Sequence, residues 1–285
     1  MTTRDGFVII DKPSGITSHD VVAQLRRKFG TKRVGHAGTL DPMATGVLVI
    51  GINNATKFLQ YITEGKKRYI ATIRLGQSTT TDDREGDVIK TADWNSVTDE
   101  EIKKHLLSQV GTIMQKPSKV SAIKIDGERA YDLVRQGKEV NIPAREVTIH
   151  SLEIRAIKRN EFLDIDIDVA CSAGTYIRSI ARDLGESLNV GGHLLALRRT
   201  EVAPFLEAEC QSIENCEIRP LVSSISKVMP LRSIDLAEKN ELSFGRALTK
   251  SDFSGPGIAI TPDGEVAAII ENRDYGAQPL AVFTS

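Results

Sequence analysis

The chain has 285 residues, enough to bury a sizeable core in one large domain or two. With 40% apolar and 26% charged residues it has the composition of a soluble globular protein, and no apolar run approaches the roughly 20 residues of a membrane helix. The net charge of −1 excludes a uniformly basic nucleic-acid binder, yet residues 1–90 carry 14 Lys and Arg against 9 Asp and Glu while residues 231–285 carry 5 against 8.

The N-terminus has no signal-peptide core, since its apolar stretch is only FVII, and a cytoplasmic protein is expected. FVIID (residues 7–11) reads as a buried strand ending at Lys12 and Pro13. Residues 17–30 read as a helix, capped by Thr17 or Ser18, striped by Val21, Val22, Leu25 and Phe29, and stopped at Gly30. A glycine-rich loop, GHAGTLDPMATG, follows and leads into a strand, GVLVIG. Residues 55–62 read as a short helix and residues 66–76 as a strand. The acidic stretch 79–89 reads as a loop. Residues 98–110 read as a helix with a Thr98–Glu101 capping box and a stripe of Ile102, Leu106, Leu107 and Val110. Residues 146–157 and 161–171 form an antiparallel hairpin, because LDIDIDV alternates strictly. Residues 174–188 are a helix, with Tyr176 and Arg178 in its first turn, and residues 191–205 a further strand. Helices and strands do not alternate regularly, so the fold class is α+β around a central, mainly antiparallel sheet. A boundary near residue 230 separates a β-rich appendix, with strands in GIAI, EVAAII and PLAVF and a turn at Pro262-Asp263-Gly264, too small to stand without docking on the main body.

Three cysteines (Cys171, Cys210 and Cys216) without a CxxC pair indicate neither a disulfide framework nor a zinc knuckle, and the five histidines lack HxxxH or HExxH spacing, so no metal is expected. Ser121 and Lys124 match SxxK, with nothing else supporting an acylating serine. Asp41 is the one acid of the glycine-rich loop. A carboxylate there can serve as nucleophile or base if a cation keeps it ionised, and Arg178 is a candidate. It can equally be a turn-forming Asp. Tyr69 follows Lys66-Lys67-Arg68, a pairing that suits stacking on a splayed base beside a phosphate backbone, or a core position. The clusters at residues 26–33 and 66–68 are candidate phosphate contacts.

Five separated stretches, IIDKPSGITSHD, GHAGTLDPMATGVL, KRYIATIRLG, CSAGTYIRSIARDLG and LRR, together resemble the bacterial TruB family, the tRNA pseudouridine-55 synthases, in order and spacing over residues 6–200. The resemblance implies the pseudouridine-synthase fold in residues 1–230 and a small PUA-like RNA-binding domain in residues 231–285. It implies a cofactor-free isomerase, acting as a monomer on the T-arm of tRNA, that flips one T-loop uridine out and converts it to pseudouridine, and that can also assist tRNA folding. Carried over, Asp41 matches the catalytic aspartate. Tyr69 matches the tyrosine that stacks on the flipped uracil and can take its proton. Arg178 matches the arginine paired with the aspartate, and Tyr176 and Leu197 line the base pocket. His36 matches the histidine at the emptied T-loop position, Asp83 an acid near the flipped nucleotide, and Lys12 the motif lysine beside the site. In KPSKVSAIK, Ser118 stands where the family pattern has a second proline.

Overall fold

The computed structural model describes residues 5–118, 124–125, 128–129 and 142–283. Ser121 of the SxxK pattern lies outside them. In chain order, β1 (Gly6–Lys12), α1 (Ser18–Phe29), β2 (Val34–His36) and β3 (Thr45–Ile52) open the fold. A 3₁₀ turn (Asn53–Phe58) runs into α2 (Leu59–Thr63), so the expected helix 55–62 is a composite. Then come β4 (Lys67–Leu75), β5 (Gln77–Thr79), β6 (Val88–Thr91), α3 (Asp99–Leu107) and β7 (Gly111–Gln115). Two short paired strands, β8 (Lys124–Ile125) and β9 (Glu128–Arg129), precede the long hairpin of β10 (Arg145–Arg159) and β11 (Leu163–Cys171). Helix α4 (Ile177–Ser187), β12 (Gly192–Val202), β13 (Phe205–Leu206), β14 (Arg219–Pro220) and α5 (Leu221–Ile225) complete the main body. The chain ends in β15 (Leu231–Ser233), α6 (Leu236–Ser243), β16 (Pro256–Ile260), β17 (Val266–Arg273) and β18 (Gly276–Val282).

One large sheet carries the fold, in the order β14-β1-β3-β12-β4-β11-β10-β7. Every pairing in it is antiparallel except that of β3 with β12, at Thr45–Arg198 and Gly46–Arg199. β1 and β3 are covered on both faces, which is why FVII and GVLVIG read as continuous apolar runs. Val8, Ile10, Leu48 and Ile50 pack with Val21, Val22 and Leu25 of α1. Phe7, Ile9, Val47 and Val49 pack on the other face with Phe58 and Ile62. β11 is covered on one face only. Leu163, Ile165, Ile167 and Val169 join a core with Ile180 and Leu184 of α4 and Ile102 and Leu106 of α3. The alternate residues, Asp164, Asp166 and Asp168, pair outward with Arg74, Lys158 and Arg68.

The Thr98–Glu101 capping box is present, but the helix is shorter than its expected stripe; Leu107 ends it and is 60% exposed. The acidic stretch 79–89 is a turn flanked by the paired β5 and β6. The C-terminal sheet, β15-β16-β17-β18, has its own small core and is also joined to the main body. Ile258, Ile269 and Phe283 share a core with Phe7 and Phe58, and the Phe283 and Phe58 rings stack 5.4 Å apart. Among the described residues no helix is long and apolar enough to cross a membrane.

Candidate active site

The loop between β2 and β3 holds Asp41, and nearly every part of it is tied to something rigid. Ser18, at the start of α1, accepts from the Leu40 amide at 2.9 Å and donates to the Leu40 carbonyl at 3.2 Å. The Pro42 carbonyl accepts from the Gly15 amide at 2.9 Å and from Lys12 Nζ at 3.1 Å. Ser14 donates to the Met43 carbonyl, and the Ala44 amide to the carbonyl of Asp41 itself. From the sheet side, the fully buried Arg199 donates to the carbonyls of Gly38 (3.0 Å), Thr39 (3.4 Å) and Val47 (2.8 Å). Gly38 and Gly46 have φ of +89° and +100°, and a Cβ on Gly46 would stand 2.2 Å from the Arg199 carbonyl where β3 meets β12.

Asp41 opens into a cavity of about 330 Å³. The α4 side supplies Tyr176, Ile177 and Arg178, the sheet supplies Lys67, Tyr69, Leu197 and Arg199, and Arg145 stands at the start of β10. Arg178 Nη2 donates to Asp41 Oδ1 at 3.1 Å, and its Nε lies 3.0 Å from Oδ2. Behind this pair, Arg178 Nη1 donates to the Thr81 carbonyl at 3.0 Å and sits 3.4 Å from Asp83 Oδ2. Burial pushes the Asp41 carboxyl above the usual carboxylate range and nearby Asp83 adds to this, while Arg178 and Lys12 pull it back. Asp83 does not line the cavity; it is buried, and its Oδ1 accepts from Thr81 Oγ1 and the Glu85 amide. Tyr69 is 8% exposed, and burial raises its hydroxyl pKa, against the pull of Arg199 within hydrogen-bonding reach. Tyr176 is fixed through its backbone, its amide donating to Gln115 Oε1 at 2.8 Å and its carbonyl accepting from Gln115 Nε2 at 3.1 Å.

Five of the expected residues therefore meet around one cavity: Asp41, Tyr69, Tyr176, Arg178 and Leu197. Asp83 stands just behind them. Lys12 and His36 do not line the cavity. Lys12 is fully buried, its Nζ donating to the carbonyls of Pro13, Ile16 and Pro42; burial lowers its pKa to about 8 against the pull of Asp41. His36 packs edge-on against His19 at 5.4 Å, its buried Nδ1 has no partner among the described residues, and burial lowers its pKa to about 4. The expected basic clusters are largely committed. Lys67 turns inward, its Nζ donating to the carbonyls of Thr63 and Gly65, and Arg68 is held by Asp168. In the first cluster Arg26 and Lys28 donate to backbone carbonyls, Arg33 to Asn54, and Arg27 and Lys32 have no partner among the described residues. Among the described residues no group of His, Cys, Asp and Glu is placed to hold a metal.

The sequence reading missed Gln115, Arg145 and Arg199. Arg199 had a signal: it stands two residues after the inward-facing Leu197 on β12, so it must face inward as well.

Comparison with solved structures identifies the fold. The chain superposes on a subunit of an H/ACA ribonucleoprotein bound to a substrate RNA containing 2′-deoxyuridine, with a TM-score of 0.70 and 22% identity, over 98% of this chain and 85% of that one. A subunit of a Cbf5–Nop10–Gar1 complex matches with the same score and 24% identity, over 100% and 85%. The architecture is the pseudouridine-synthase fold. Residues 26–177 match the family model described as TruB family pseudouridylate synthase, N-terminal domain. Residues 178–219 match the tRNA pseudouridylate synthase B C-terminal domain, and residues 229–284 the C-terminal region of tRNA pseudouridine synthase II. The tRNA pseudouridine synthase B of Corynebacterium efficiens is 50% identical over 99% of this chain and 96% of its own, and that of Thermobifida fusca 46% identical over 98% of each. The chain belongs to the TruB family of pseudouridylate synthases.

Proposed function

We propose that the protein is a tRNA pseudouridine synthase that isomerises the T-loop uridine at position 55, flipping it from the folded T-arm into the cavity over Asp41. The reading rests above all on the cavity's acid–base content: among the described residues one carboxylate lines it, in ion-pair contact with Arg178 and facing the same space as Tyr69, Tyr176, Ile177 and Leu197. Isomerisation breaks the C1′–N1 bond, and the departing base carries away the electron pair. The ribose is left electron-poor, as in glycoside hydrolysis, and the Asp41 carboxylate meets that charge. A glycosidase would hold a second acid across the bond, with room for water. Here the second acid, Asp83, is behind Arg178 and away from the cavity. The detached uracil is retained, turns, and bonds to C1′ through C5. The C5 proton then leaves and N1 gains one, so the product has the same atoms as the substrate.

Tyr69 stacks on the flipped uracil, while Tyr176 and Leu197 wall the base in. Arg178 holds Asp41 ionised and aimed, and Asp83 holds Arg178. Lys12 acts by tethering the Asp41 loop, and the neutral His36 ring fills the place the base vacates. Extraction costs a few kcal/mol of unstacking, which phosphate contacts from exposed Arg27 and Lys32 can offset. Residues 1–230 form the catalytic domain and residues 231–285 a PUA-like domain that extends RNA contact. The enzyme works as a cytoplasmic monomer without a cofactor.

The test is tritium release from a T-arm hairpin labelled at uracil C5. Wild type releases tritium, and Asp41→Asn abolishes release while hairpin binding persists. Tight binding with no release from the wild type would overturn the isomerase reading in favour of an RNA-folding module; release only from another RNA would move the target.

A further inference from the structure

The cavity is more basic than chemistry at Asp41 requires. Among the described residues four cations line it, Lys67, Arg145, Arg178 and Arg199, against one carboxylate. Three are committed. Arg178 is held by Asp41, Asp83 and the Thr81 carbonyl. Arg199 is held by the Gly38, Thr39 and Val47 carbonyls, and Lys67 by those of Thr63 and Gly65.

Arg145 differs. Its guanidinium lies over the Tyr176 ring, 4.8 Å from the centroid, and against Gly174, where an added Cβ would stand 3.4 Å from Cζ. Its one hydrogen bond among the described residues runs from Nη2 to the Gly174 carbonyl. Among those residues no carboxylate pairs with it, and its buried Nε finds no partner. Contact with the Tyr176 ring holds the fork in place without using its donors. A guanidinium held against an aromatic ring beside a nucleotide-sized cavity, with donors left over and no counter-charge among the described residues, has the chemistry of a phosphate ligand.

We propose that Arg145 binds a backbone phosphate flanking the nucleotide held over Asp41, anchoring that nucleotide in the cavity from the start of β10. The proposal rests on the RNA-isomerase reading above. It makes Arg145 a substrate-binding residue.

The experiment uses the full-length protein and the T-arm hairpin. Hairpin affinity is measured across a salt series for wild type, Arg145→Gln and Arg145→Lys. It is repeated with hairpins whose 5′ or 3′ linkage at the target uridine is a neutral methylphosphonate. For Arg145→Gln the affinity is expected to fall about tenfold and the slope of log K against log salt to shrink by about 0.7, the loss of one phosphate contact. Arg145→Lys keeps the slope. One of the two neutral linkages weakens wild type by the same factor and leaves Arg145→Gln unaffected. An unchanged slope in Arg145→Gln, or equal losses in wild type and variant on each neutral linkage, would overturn the assignment. Wild type indifferent to both linkages would overturn it even if the variant did not fold. Tritium release is read in parallel: wild type that shows the phosphate coupling but no release refutes the isomerase reading and leaves the phosphate site standing.

Discussion

Arg178→Met removes the one cation that stands between two carboxylates. In the native site its Nε and Nη2 lie 3.0 and 3.1 Å from Asp41 oxygens, and Nη1 lies 3.4 Å from Asp83. The Arg178 and Asp83 side chains are only 6% and 4% exposed, so solvent screens their interaction little. Breaking a buried pair from one side costs about 3–5 kcal/mol. Asp41 is 31% exposed to the cavity and water relieves part of its loss, which places the expectation near the lower end, about 3 kcal/mol. The sign of the pH dependence follows from the residues left behind. Burial already raises the Asp41 carboxyl, and Arg178 opposes that shift. Without Arg178 the folded pKa climbs further while the unfolded value stays put. The folded variant then keeps a proton that the unfolded chain has lost, so stability falls as pH rises from the ordinary carboxylate pKa to the raised folded one. Urea unfolding of wild type and Arg178→Met at pH 4.5 and pH 8 measures this. The deficit should be larger at pH 8 and tritium release should be lost. An equal deficit at both pH values would refute the electrostatic account of the pair and leave Arg178 as packing alone.

Two further outcomes follow from the sheet and the C-terminal docking. Phe283→Ala removes the ring stacked on Phe58 and opens the core shared with Phe7; a loss of about 3 kcal/mol is expected, read as early proteolytic release of a fragment beginning near residue 230. A protease pattern identical to wild type would show that the ring does not hold the C-terminal sheet in place. At Asp168 burial acts upward, but hydrogen bonds from Arg68 and Arg155 carry the carboxyl below its ordinary value of 3.8. Its stabilisation is therefore present above that value and lost as pH falls toward the folded pKa. Asp168→Asn should flatten the acid limb of thermal unfolding and leave tritium release at neutral pH intact, because Asp168 faces away from the cavity.

What was legible in the sequence tracks how local the physics is. The α1 and α3 starts were readable because a cap and its hydrogen-bonding partner sit three residues apart, and the β10–β11 hairpin because LDIDIDV alternates while only one face is buried. The Asp41–Arg178 contact spans 137 residues, and no periodicity joins its halves; only the family motifs did. At Lys66–Arg68 the cause is the opposite. Three adjacent basic residues look like one patch, but on a strand neighbours face opposite ways. Lys67 follows Tyr69 inward, and Arg68 goes outward to Asp168. Arg145 was invisible because its significance lies in what fails to pair with it, which only three-dimensional accounting reveals.

A carboxylate on a short loop would ordinarily be mobile, and under the proposed reaction each free rotation would cost precision at the sugar. This chain fixes the loop through its backbone. The Gly38, Thr39, Leu40, Pro42 and Met43 carbonyls all accept from Lys12, Ser14, Gly15, Ser18 or Arg199. The loop's own side chains are then left for the site. Lys12 and Arg199 spend their charges inside the protein on neutral carbonyls, a costly use of a cation unless the donors are all satisfied. Their reward is positional and electrostatic together: both hold the Asp41 loop, and the Lys12 charge favours the ionised carboxylate. A hydroxyl or amide could make some of the same hydrogen bonds but would not add that charge. The stiffness around Asp41 and its readiness to carry a negative charge thus arise partly from the same residues.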